Sequence, residues 1–203
     1  MADRRASILL KRGPADPLLS GPLLEPLKKF GGVMFPYTPV ITYDVQAEWN
    51  PFNLTHTNYQ PQIYARTKNP SINLNQCTFT ATTEEDARYM FAAVHFFKTV
   101  TKMSFGVKDP NRGSPPPVLN FSGYGDAQFS NVPVIITDFN FILPNDVDYI
   151  KVTLENGSVV NVPIKVDITV NLLVNMPLND IKNNFTLADF ASGKLIAQKK
   201  GYI

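Results

Sequence analysis

The most regular pattern of apolar and polar residues in the chain runs from residue 160 to residue 174. Every second position from Val160 to Val174 is apolar, and polar residues occupy most of the positions between them. A period of two is the period of a β-strand with one apolar and one polar face. We therefore predict one long strand of roughly 50 Å, at about 3.3 Å per residue. Residues 148–154 are its predicted hairpin partner, through a turn at Asn156-Gly157.

Shorter β-strands are predicted earlier in the chain. Residues 71–81 alternate, which places Ile72, Leu74 and Gln76 on one face of a strand and Cys77 and Phe79 on the other. Residues 44–57 are polar and aromatic and are predicted to form a loop. The other predicted strands are 33–43, interrupted at Pro36, and then 59–66, 118–121 and 132–143.

One long helix is predicted between Thr82 and Gly106. Thr82 and Glu85 have the spacing of a capping box, in which each side chain bonds the backbone of the other residue. Apolar residues then recur every three or four positions, as on the buried side of a helix. A shorter helical turn is predicted at 186–190, ending at Ser192-Gly193. The apolar stripe of the long helix is Ala87, Met90, Phe91, Val94, Phe97 and, at its end, Thr101.

Residues 1–30 are predicted to form an extended docking arm, and residues 31–203 the folded domain. Prolines recur every three to five residues between positions 14 and 26, a spacing that excludes a regular helix. The leucines between them are too apolar for a solvated linker, so we expect them to dock on a neighbouring protein. A disordered tail is the alternative. Deleting the arm is expected to leave a folded protein that no longer joins its partner. The docking leucines are Leu18, Leu19, Leu23, Leu24 and Leu27.

Charge and composition narrow the classes of protein to which this chain can belong. The formal net charge of +2 is too weak a bias to indicate a nucleic-acid partner. No apolar run approaches the roughly 18 residues of a membrane span, and the single cysteine excludes a disulfide framework. Charged residues make up 18% of the chain, below the roughly 25% of ordinary soluble domains. We expect a protein that is kept inside a cell or a particle, has no membrane partner, and covers part of its surface with other subunits.

Candidate catalytic chemistry is sparse. His56 lies in the predicted aromatic loop, and His95 lies beside the apolar stripe of the helix, where a structural role is the simpler interpretation. Asp138, Asp146 and Asp148 cluster loosely, but aspartates at strand ends usually cap turns. The sequence has no nucleophile elbow, phosphate-binding loop or zinc-protease motif. We expect neither an enzyme nor a metal or other cofactor.

Three segments carry a family resemblance. The first is residues 32–39, Gly-Val-Met-Phe-Pro-Tyr-Thr-Pro, and the second is residues 89–106 of the predicted helix. The third is residues 113–122, Gly-Ser-Pro-Pro-Pro-Val-Leu-Asn-Phe-Ser, followed by Tyr124-Gly125, Phe129 and residues 132–134. Together, within residues 31–150, these segments resemble the tail-tube junction (tube initiator) proteins in the baseplates of T4-type contractile-tailed phages.

The resemblance implies a tail-tube fold, which is β-rich (α+β): a small β-sandwich or barrel with one flanking α-helix and a long β-hairpin. It also implies a homo-hexamer in the virion, assembled in the host cytoplasm. The ring would join the baseplate hub to the tail tube and template tube assembly. Its implied partners are the hub, the tail-tube ring proteins and genomic DNA, which passes through the channel without specific binding.

Two sets of residues are candidates for this assembly. The polar face of the 160–174 strand would line the channel, because neutral or mildly acidic groups let DNA slide. The opposite arrangement, with that face outward on an ordinary sandwich, stays open. Subunit contacts are expected from exposed loops, since aromatic residues are enriched at interfaces. The channel candidates are Asn161, Lys165, Asp167, Thr169 and Asn171, and the contact candidates, besides the leucines of the arm, are Trp49, Phe52, Pro115, Pro116 and Pro117.

Two other classes of protein remain open at this point. An ordinary tail-tube, neck, connector or capsid subunit has the same β-rich and weakly charged composition. A small carbohydrate-binding sandwich is the second alternative. A tube subunit should form long tubes alone or with sheath, and a binding module should be a monomer that binds glycans saturably. A junction protein should add a single ring, and only on a hub.

Overall fold

The computed structural model describes residues 5–109, 111–125, 128–154, 157–178 and 186–202. Over these residues the chain is rich in β-strands and has few helices, so the predicted β-rich class is confirmed. The strands are β1 (Ser7–Leu10), β2 (Gly32–Met34), β3 (Val40–Asp44), β4 (Ala47–Pro51), β5 (Gln62–Thr67), β6 (Ser71–Thr80), β7 (Leu119–Gly123), β8 (Phe129–Ile142), β9 (Tyr149–Thr153), β10 (Val159–Pro163) and β11 (Lys165–Val174). The helices are α1 (Glu25–Lys28), α2 (Glu84–Val100), α3 (Leu187–Ala191) and α4 (Lys194–Ala197).

Seven strands form one large antiparallel sheet, in the order β2-β1-β7-β8-β11-β6-β3. Strand β11 pairs with β8 on one side and with β6 on the other. The remaining strands form two separate hairpins, β4–β5 and β9–β10. The predicted pairing of residues 148–154 with the following segment is therefore present, but the implied long hairpin is wrong, because β9 and β10 have only five residues each. Asn156 of its predicted turn lies outside the described residues.

The large sheet is strongly curled. Strands β2 and β3 lie at its opposite edges, yet only residues 35–39 connect Met34 to Val40. That connection spans at most about 21 Å, whereas the edges of a flat seven-stranded sheet are roughly 29 Å apart. The two edges must therefore approach each other across a concave face. The predicted single strand interrupted at Pro36 is wrong, because its halves are two strands at opposite edges.

Contacts across the concave face agree with this curl. Phe35, directly after β2, packs against Phe79 of β6 with ring centroids 5.8 Å apart. Tyr43 of β3 packs against Phe129 of β8 with ring centroids 5.9 Å apart. Strands that are distant in the order of the sheet thus share one apolar interior.

Helix α2 fills this interior. The ring of Phe97 stacks on Phe35 at 6.3 Å and on Phe139 of β8 at 5.2 Å. Full burial of such a side chain stabilises the folded state by about 1.5–3 kcal/mol, so the helix is integral to the core. The largest fully buried side chains are Phe35, Phe79, Phe96, Phe97, Phe121, Ile8, Leu19, Leu27, Ile72, Leu74, Met90 and Leu119.

The β9–β10 hairpin packs on the other side of helix α2. The Glu84 carboxylate accepts a hydrogen bond from the amide of Thr153 at 3.0 Å, and Arg88 donates to the carbonyl of Thr153 at 2.5 Å. Val152 and Val162 of the hairpin are buried. The helix is therefore enclosed between the curled sheet and this hairpin.

The predicted helix is present but its ends differ. Its capping box uses Thr83 and Asp86, one residue later than predicted, because the Asp86 carboxylate accepts from the amides of both Thr82 and Thr83. Helix α2 ends at Val100 rather than at Gly106. The predicted turn at 186–190 is confirmed as α3, with Thr186 and Ser192 as its caps.

The predicted long strand over 160–174 is wrong as one element. The chain bends at Ile164, which separates β10, in the small hairpin, from β11, in the large sheet. The predicted alternation holds along β11, where Val166 and each second residue to Val174 are buried. At about 3.3 Å per residue, β11 alone is roughly 33 Å long.

A β-bulge changes the faces of strand β6 relative to the predicted alternation. Asn75 and Gln76 together lie opposite the single residue Thr169 of β11. Gln76 has φ of 55°, a left-handed conformation that suits an extra, unpaired residue. Because the bulge shifts the alternation by one, Cys77 and Phe79 face the same buried side as the start of the strand. The prediction that placed them on the opposite face is wrong.

Residues 5–30 belong to the folded body, so the predicted extended arm is wrong for the described part of this segment. Strand β1 lies inside the large sheet, between β2 and β7. Leu19, Leu24 and Leu27 are buried in the core. The segment accommodates three of its four prolines at the starts of α1 and of two 3-10 turns, positions where a missing amide costs little. Those three leucines complete the core of their own chain and cannot dock on a neighbour.

Candidate assembly surfaces

Four of the five predicted channel residues share one face of the large sheet, opposite to the face that packs on helix α2. Lys165, Asp167, Thr169 and Asn171 alternate along β11 with buried residues, and all four are half-buried. We call the polar side of β11, together with the same side of β6, β8 and β3, the open face. The structure thus brings these four side chains onto one surface, as the alternation predicts.

Asn161 is separated from the other four. It lies on β10, before the bend, and lines a cleft of about 240 Å³ beside helix α2. His95 and Lys98 of the helix and Phe141 of β8 line the same cleft. The apolar period extends through residue 164 and conceals the bend, and Pro163 directly before it is the one sequence signal that could have indicated a break.

Hydrogen bonds between strands hold the polar side chains of the open face. Asp167 accepts a bond from the hydroxyl of Thr78 on β6 at 2.6 Å, and its carboxylate lies 3.2 Å from the ammonium of Lys165. The amide of Asn171 donates to the carboxylate of Asp138 on β8 at 3.3 Å. The orientation of these side chains is therefore determined by neighbouring strands.

The named ionisable groups of the open face are mainly acidic. Asp138, Asp167 and Asp44 carry negative charge, against the single positive charge of Lys165. Asp44 of β3 accepts a hydrogen bond from Asn73 of β6 at 3.1 Å, which extends the polar surface to the edge of the sheet. Arg66 and Lys68, in and beside β5, line a cleft of about 540 Å³ together with Asp44 at this edge. The acidic and basic groups on and beside the open face therefore nearly balance, which gives it little electrostatic attraction for a polyanion.

The β4–β5 hairpin is the most exposed element of the structure. It continues strands β3 and β6, with the amide of Lys68 donating to the carbonyl of Gln46 at 2.8 Å. All its residues except the half-buried Glu48 are exposed. The predicted loop at 44–57 therefore contains strand β4, and that prediction is wrong. A two-stranded ribbon without a packed face is marginally stable in water, which makes this hairpin a candidate for contact with another chain.

Aromatic side chains cover the hairpin. The rings of Trp49 and Tyr64 are 54% and 51% exposed and lie 5.4 Å apart. Phe52, beyond the end of β4, is also exposed. Arg66 pairs with Glu48 at 2.7 Å, and this hydrogen bond lowers the pKa of the Glu48 carboxyl. The predicted contact residues Trp49 and Phe52 are thus accessible on a defined element.

The other predicted contact residues differ in accessibility. Leu18 and Leu23 are half-buried. Pro115 and Pro116 are exposed and Pro117, two residues before strand β7, is half-buried. The proline segment is therefore accessible to a partner, and the N-terminal leucines are not fully accessible.

Burial disfavours the charged forms of His95 and Cys77. Burial lowers the pKa of His95, whose ring centroid lies 4.5 Å from that of Phe91. Burial raises the pKa of Cys77 to about 12, which keeps the thiol protonated. His56 is exposed. Within the described ranges, no group of three or more His, Cys, Asp or Glu side chains is arranged to hold a metal ion.

Sequence reasoning missed the residues that complete these surfaces. Thr78 and Asp138 join the open face through their bonds to β11, but bulges in β6 and β8 conceal their alternation. Tyr64 packs on Trp49, and its strand had no predicted partner. The opposite charges of Glu48 and Arg66 are the sequence signal that favours this pairing, because opposite charges stabilise cross-strand neighbours.

No protein-family model matches this chain, and no curated protein matches it. In the part of the chain that the structure describes, no helix combines the length and the apolar character needed to cross a bilayer.

Proposed function

We propose that this chain is a structural subunit of a contractile phage tail. It forms a hexameric ring that joins the baseplate hub to the tail tube and templates tube assembly around a DNA channel. The observation that carries the proposal is a sheet whose apolar face is covered by the chain's own helix, while its polar and mainly acidic face stays open. The resemblance of residues 32–39, 89–106 and 113–122 to tube initiator proteins supports the proposal.

The open face suits the wall of a channel through which DNA moves. The positive charge of Lys165 is offset by Asp167 at 3.2 Å, and Arg66, which borders the face in the cleft with Asp44, is paired with Glu48 at 2.7 Å. A wall without excess cations does not hold phosphate, so nucleic acid passes without being retained. In the ring, Lys165, Asp167, Thr169 and Asn171 face the channel, and Asn161 does not.

The exposed hairpin suits contact with other subunits. Trp49 and Tyr64 offer a pair of large apolar rings outside the core, and aromatic anchors supply much of the binding energy at interfaces. The proline segment 115–117 offers a second, stiff surface. Contact with the hub therefore uses the hairpin and the prolines, since the N-terminal leucines serve the core.

Native mass spectrometry and electron microscopy test the proposal. The purified chain is examined alone, over a series of concentrations, and after addition to baseplates isolated from the same source. We expect one hexameric ring on each baseplate. Long tubes formed by the chain alone would instead identify an ordinary tube subunit. A stable monomer that binds glycans saturably would identify a recognition module, and either result contradicts the proposal.

A matched pair of variants tests the hairpin contact. Trp49→Ser should lower ring formation on baseplates at least tenfold, because it removes an exposed aromatic anchor. Tyr124→Ser is the control, since Tyr124 is 57% exposed but lies outside the hairpin. Equal loss in both variants would show that Trp49 has no special role.

A second pair tests which surface faces the channel. Thr169→Lys adds a cation to the open face, and Thr99→Lys makes the same change on the exposed side of helix α2. Rings of Thr169→Lys should retain a DNA oligonucleotide in a salt-dependent way, because each added lysine can neutralise a phosphate. Equal retention by both variant rings would place the open face away from the channel.

A further inference from the structure

The loop after helix α2 is both basic and apolar. We define the basic loop as residues 102–109 and 111–112. Its cations Lys102, Lys108 and Arg112 are exposed and have no ion pair with another described residue. Between them, the side chains of Phe105 and Val107 are 77% and 85% exposed. Met103 is exposed as well, so three large apolar side chains are exposed within five residues, and exposed apolar patches mark interaction surfaces.

Backbone hydrogen bonds hold the basic loop in one conformation. The amide of Ser104 donates to the carbonyl of Ser114 at 3.1 Å, and the amide of Gly113 donates back to the carbonyl of Ser104 at 2.8 Å. The carboxylate of Asp109 accepts from the amide of Asn111 at 2.8 Å. The carboxylate of Asp109 thus stabilises the turn of the loop itself, whereas the three cations are exposed to solvent. A surface that is already ordered loses little entropy on binding.

A second exposed segment has the opposite charge. We define the acidic segment as residues 142–149, from the last residue of β8 to the first residue of β9. It carries Asp146 and Asp148, both exposed and without an ion pair to a described residue. Leu143 and Tyr149 are 57% and 62% exposed. The carbonyl of Asp148 accepts a bond from the amide of Ile164 at 2.9 Å, which anchors the segment to the β10–β11 bend.

We propose that the basic loop of one copy of this chain binds the acidic segment of a second copy. The two surfaces carry opposite charges, and both expose apolar side chains. Within the described part of one chain, no salt bridge joins them. Phe105 and Val107 pack on Leu143 and Tyr149, while the charged residues at the rim orient the approach and exclude wrong registers.

This contact is heterologous, because it joins two different patches. A heterologous contact closes into a ring when its rotation allows and otherwise forms a filament. The inference rests on the proposed function, because it names the partner of a ring subunit as another copy and specifies the surfaces. Neighbouring copies in the ring then contact each other through the basic loop and the acidic segment, and the β4–β5 hairpin contacts the hub.

Charge reversal tests the contact. One variant carries Lys102→Glu and Lys108→Glu, and the other carries Asp146→Lys and Asp148→Lys. Sedimentation velocity should show self-association at least tenfold weaker for each variant alone than for the wild-type chain. An equimolar mixture should associate again, because the reversed loop of one variant then faces the reversed segment of the other. Lys11→Glu with Lys28→Glu is the control, since it reverses two exposed lysines elsewhere and should leave association unchanged.

Three results would overturn the contact. The first is wild-type association in either variant alone, and the second is no recovery in the mixture. The third is a wild-type chain that stays monomeric up to about 1 mM; binding of its basic loop to phosphatidylserine vesicles would then identify the loop as a lipid-binding surface. If both variants still form hexameric rings on baseplates, only this contact is removed and the proposed function stands. If the mixture recovers but no ring forms on baseplates, the contact stands and the proposed function fails.

Discussion

The hydroxyl group of Tyr89 makes two hydrogen bonds with the backbone of one residue, Met34. It donates to the carbonyl of Met34 and accepts from the amide of Met34, both at 2.8 Å. Tyr89 lies on helix α2 and Met34 is the last residue of the edge strand β2. Burial raises the pKa of the Tyr89 phenol, so the group stays protonated and can donate. The helix thereby substitutes for the missing neighbour of an edge strand.

Tyr89→Phe should lower the free energy of unfolding by about 1–3 kcal/mol, because it leaves a backbone amide and a carbonyl without their partner. Urea unfolding followed by circular dichroism measures this change. Tyr59→Phe is the control, since the side chain of Tyr59 is 87% exposed and its substitution should change stability by less than about 0.5 kcal/mol. An equal, small effect in both variants would mean that the Tyr89 hydroxyl does not hold β2.

Deleting residues 1–30 should prevent folding, in contrast to the expectation for a separate arm. The deletion removes β1 from between β2 and β7 and exposes the apolar surface beneath Leu27. Circular dichroism and proteolysis of the truncated chain measure this outcome. A milder pair of variants tests the same point: Leu27→Ala should cost about 2–5 kcal/mol, and the half-buried Leu23→Ala clearly less. A folded, protease-resistant truncation would restore the arm model.

Stability should fall when the pH is lowered through the range of His95. Burial, reinforced by the nearby positive charge of Lys98, holds the pKa of His95 below its usual value of 6.5. The unfolded chain therefore binds a proton first, so the contribution of His95 is fully present above pH 6.5 and is lost as the pH falls from there towards the folded-state pKa. The unfolding midpoint in urea, measured between pH 7.5 and about 5, should decrease for the wild-type chain.

His95→Gln should flatten that decrease. The carboxyls whose pKa is lowered, among them Glu84 and Asp86, have usual values of 4.5 and 3.8, so their contributions are lost at lower pH. Above pH 5, the change of stability with pH therefore reports on the protonation of His95. An unchanged slope in the variant would show that another group titrates there.

The sequence predicts individual elements of this fold well and their arrangement poorly. The alternation along β11 and the apolar stripe of α2 are local periodicities, and the structure contains both. The bend at Ile164 and the separation of β2 from β3 depend on which strands pair, and pairing joins residues that are distant in sequence. Periodicity carries no information on such partners.

The prediction of an extended arm at the N-terminus is wrong for a different reason. Its proline spacing excludes a regular helix, but short 3-10 turns and a single helical turn place prolines at their first positions. The leucines between them therefore reach the core from an irregular segment. Four residues of the candidate channel surface are predictable from the alternation along β11 alone. The bend at Ile164 moves Asn161 away from them, and the bulge in β6 conceals that Thr78 belongs to the same face.

The bulge in β6 predicts how substitutions of Gln76 change stability. Gln76 has φ of 55°, a conformation that is strained for residues other than glycine. Gln76→Gly should be neutral or should stabilise the fold by up to about 1 kcal/mol, and Gln76→Val should destabilise it, because a β-branched side chain tolerates this conformation least. Thermal unfolding measures both. The opposite order would mean that β6 runs without the bulge, with Gln76 in the core as the simple alternation predicts.

The same bulge places Cys77 in the core, and the reactivity of its thiol reports on this placement. The side chain is 1% exposed, and burial raises its pKa to about 12, so both access and ionisation oppose reaction with a disulfide reagent at pH 8. The native chain should react at least a hundredfold more slowly than the chain in urea, with a rate that follows the opening of the β6–β11 pairing. Cys77→Ser removes the signal and serves as the control. Rapid, stoichiometric labelling of the folded chain would mean that Cys77 faces solvent, and then the assignment of the open face would be reversed along this half of β6.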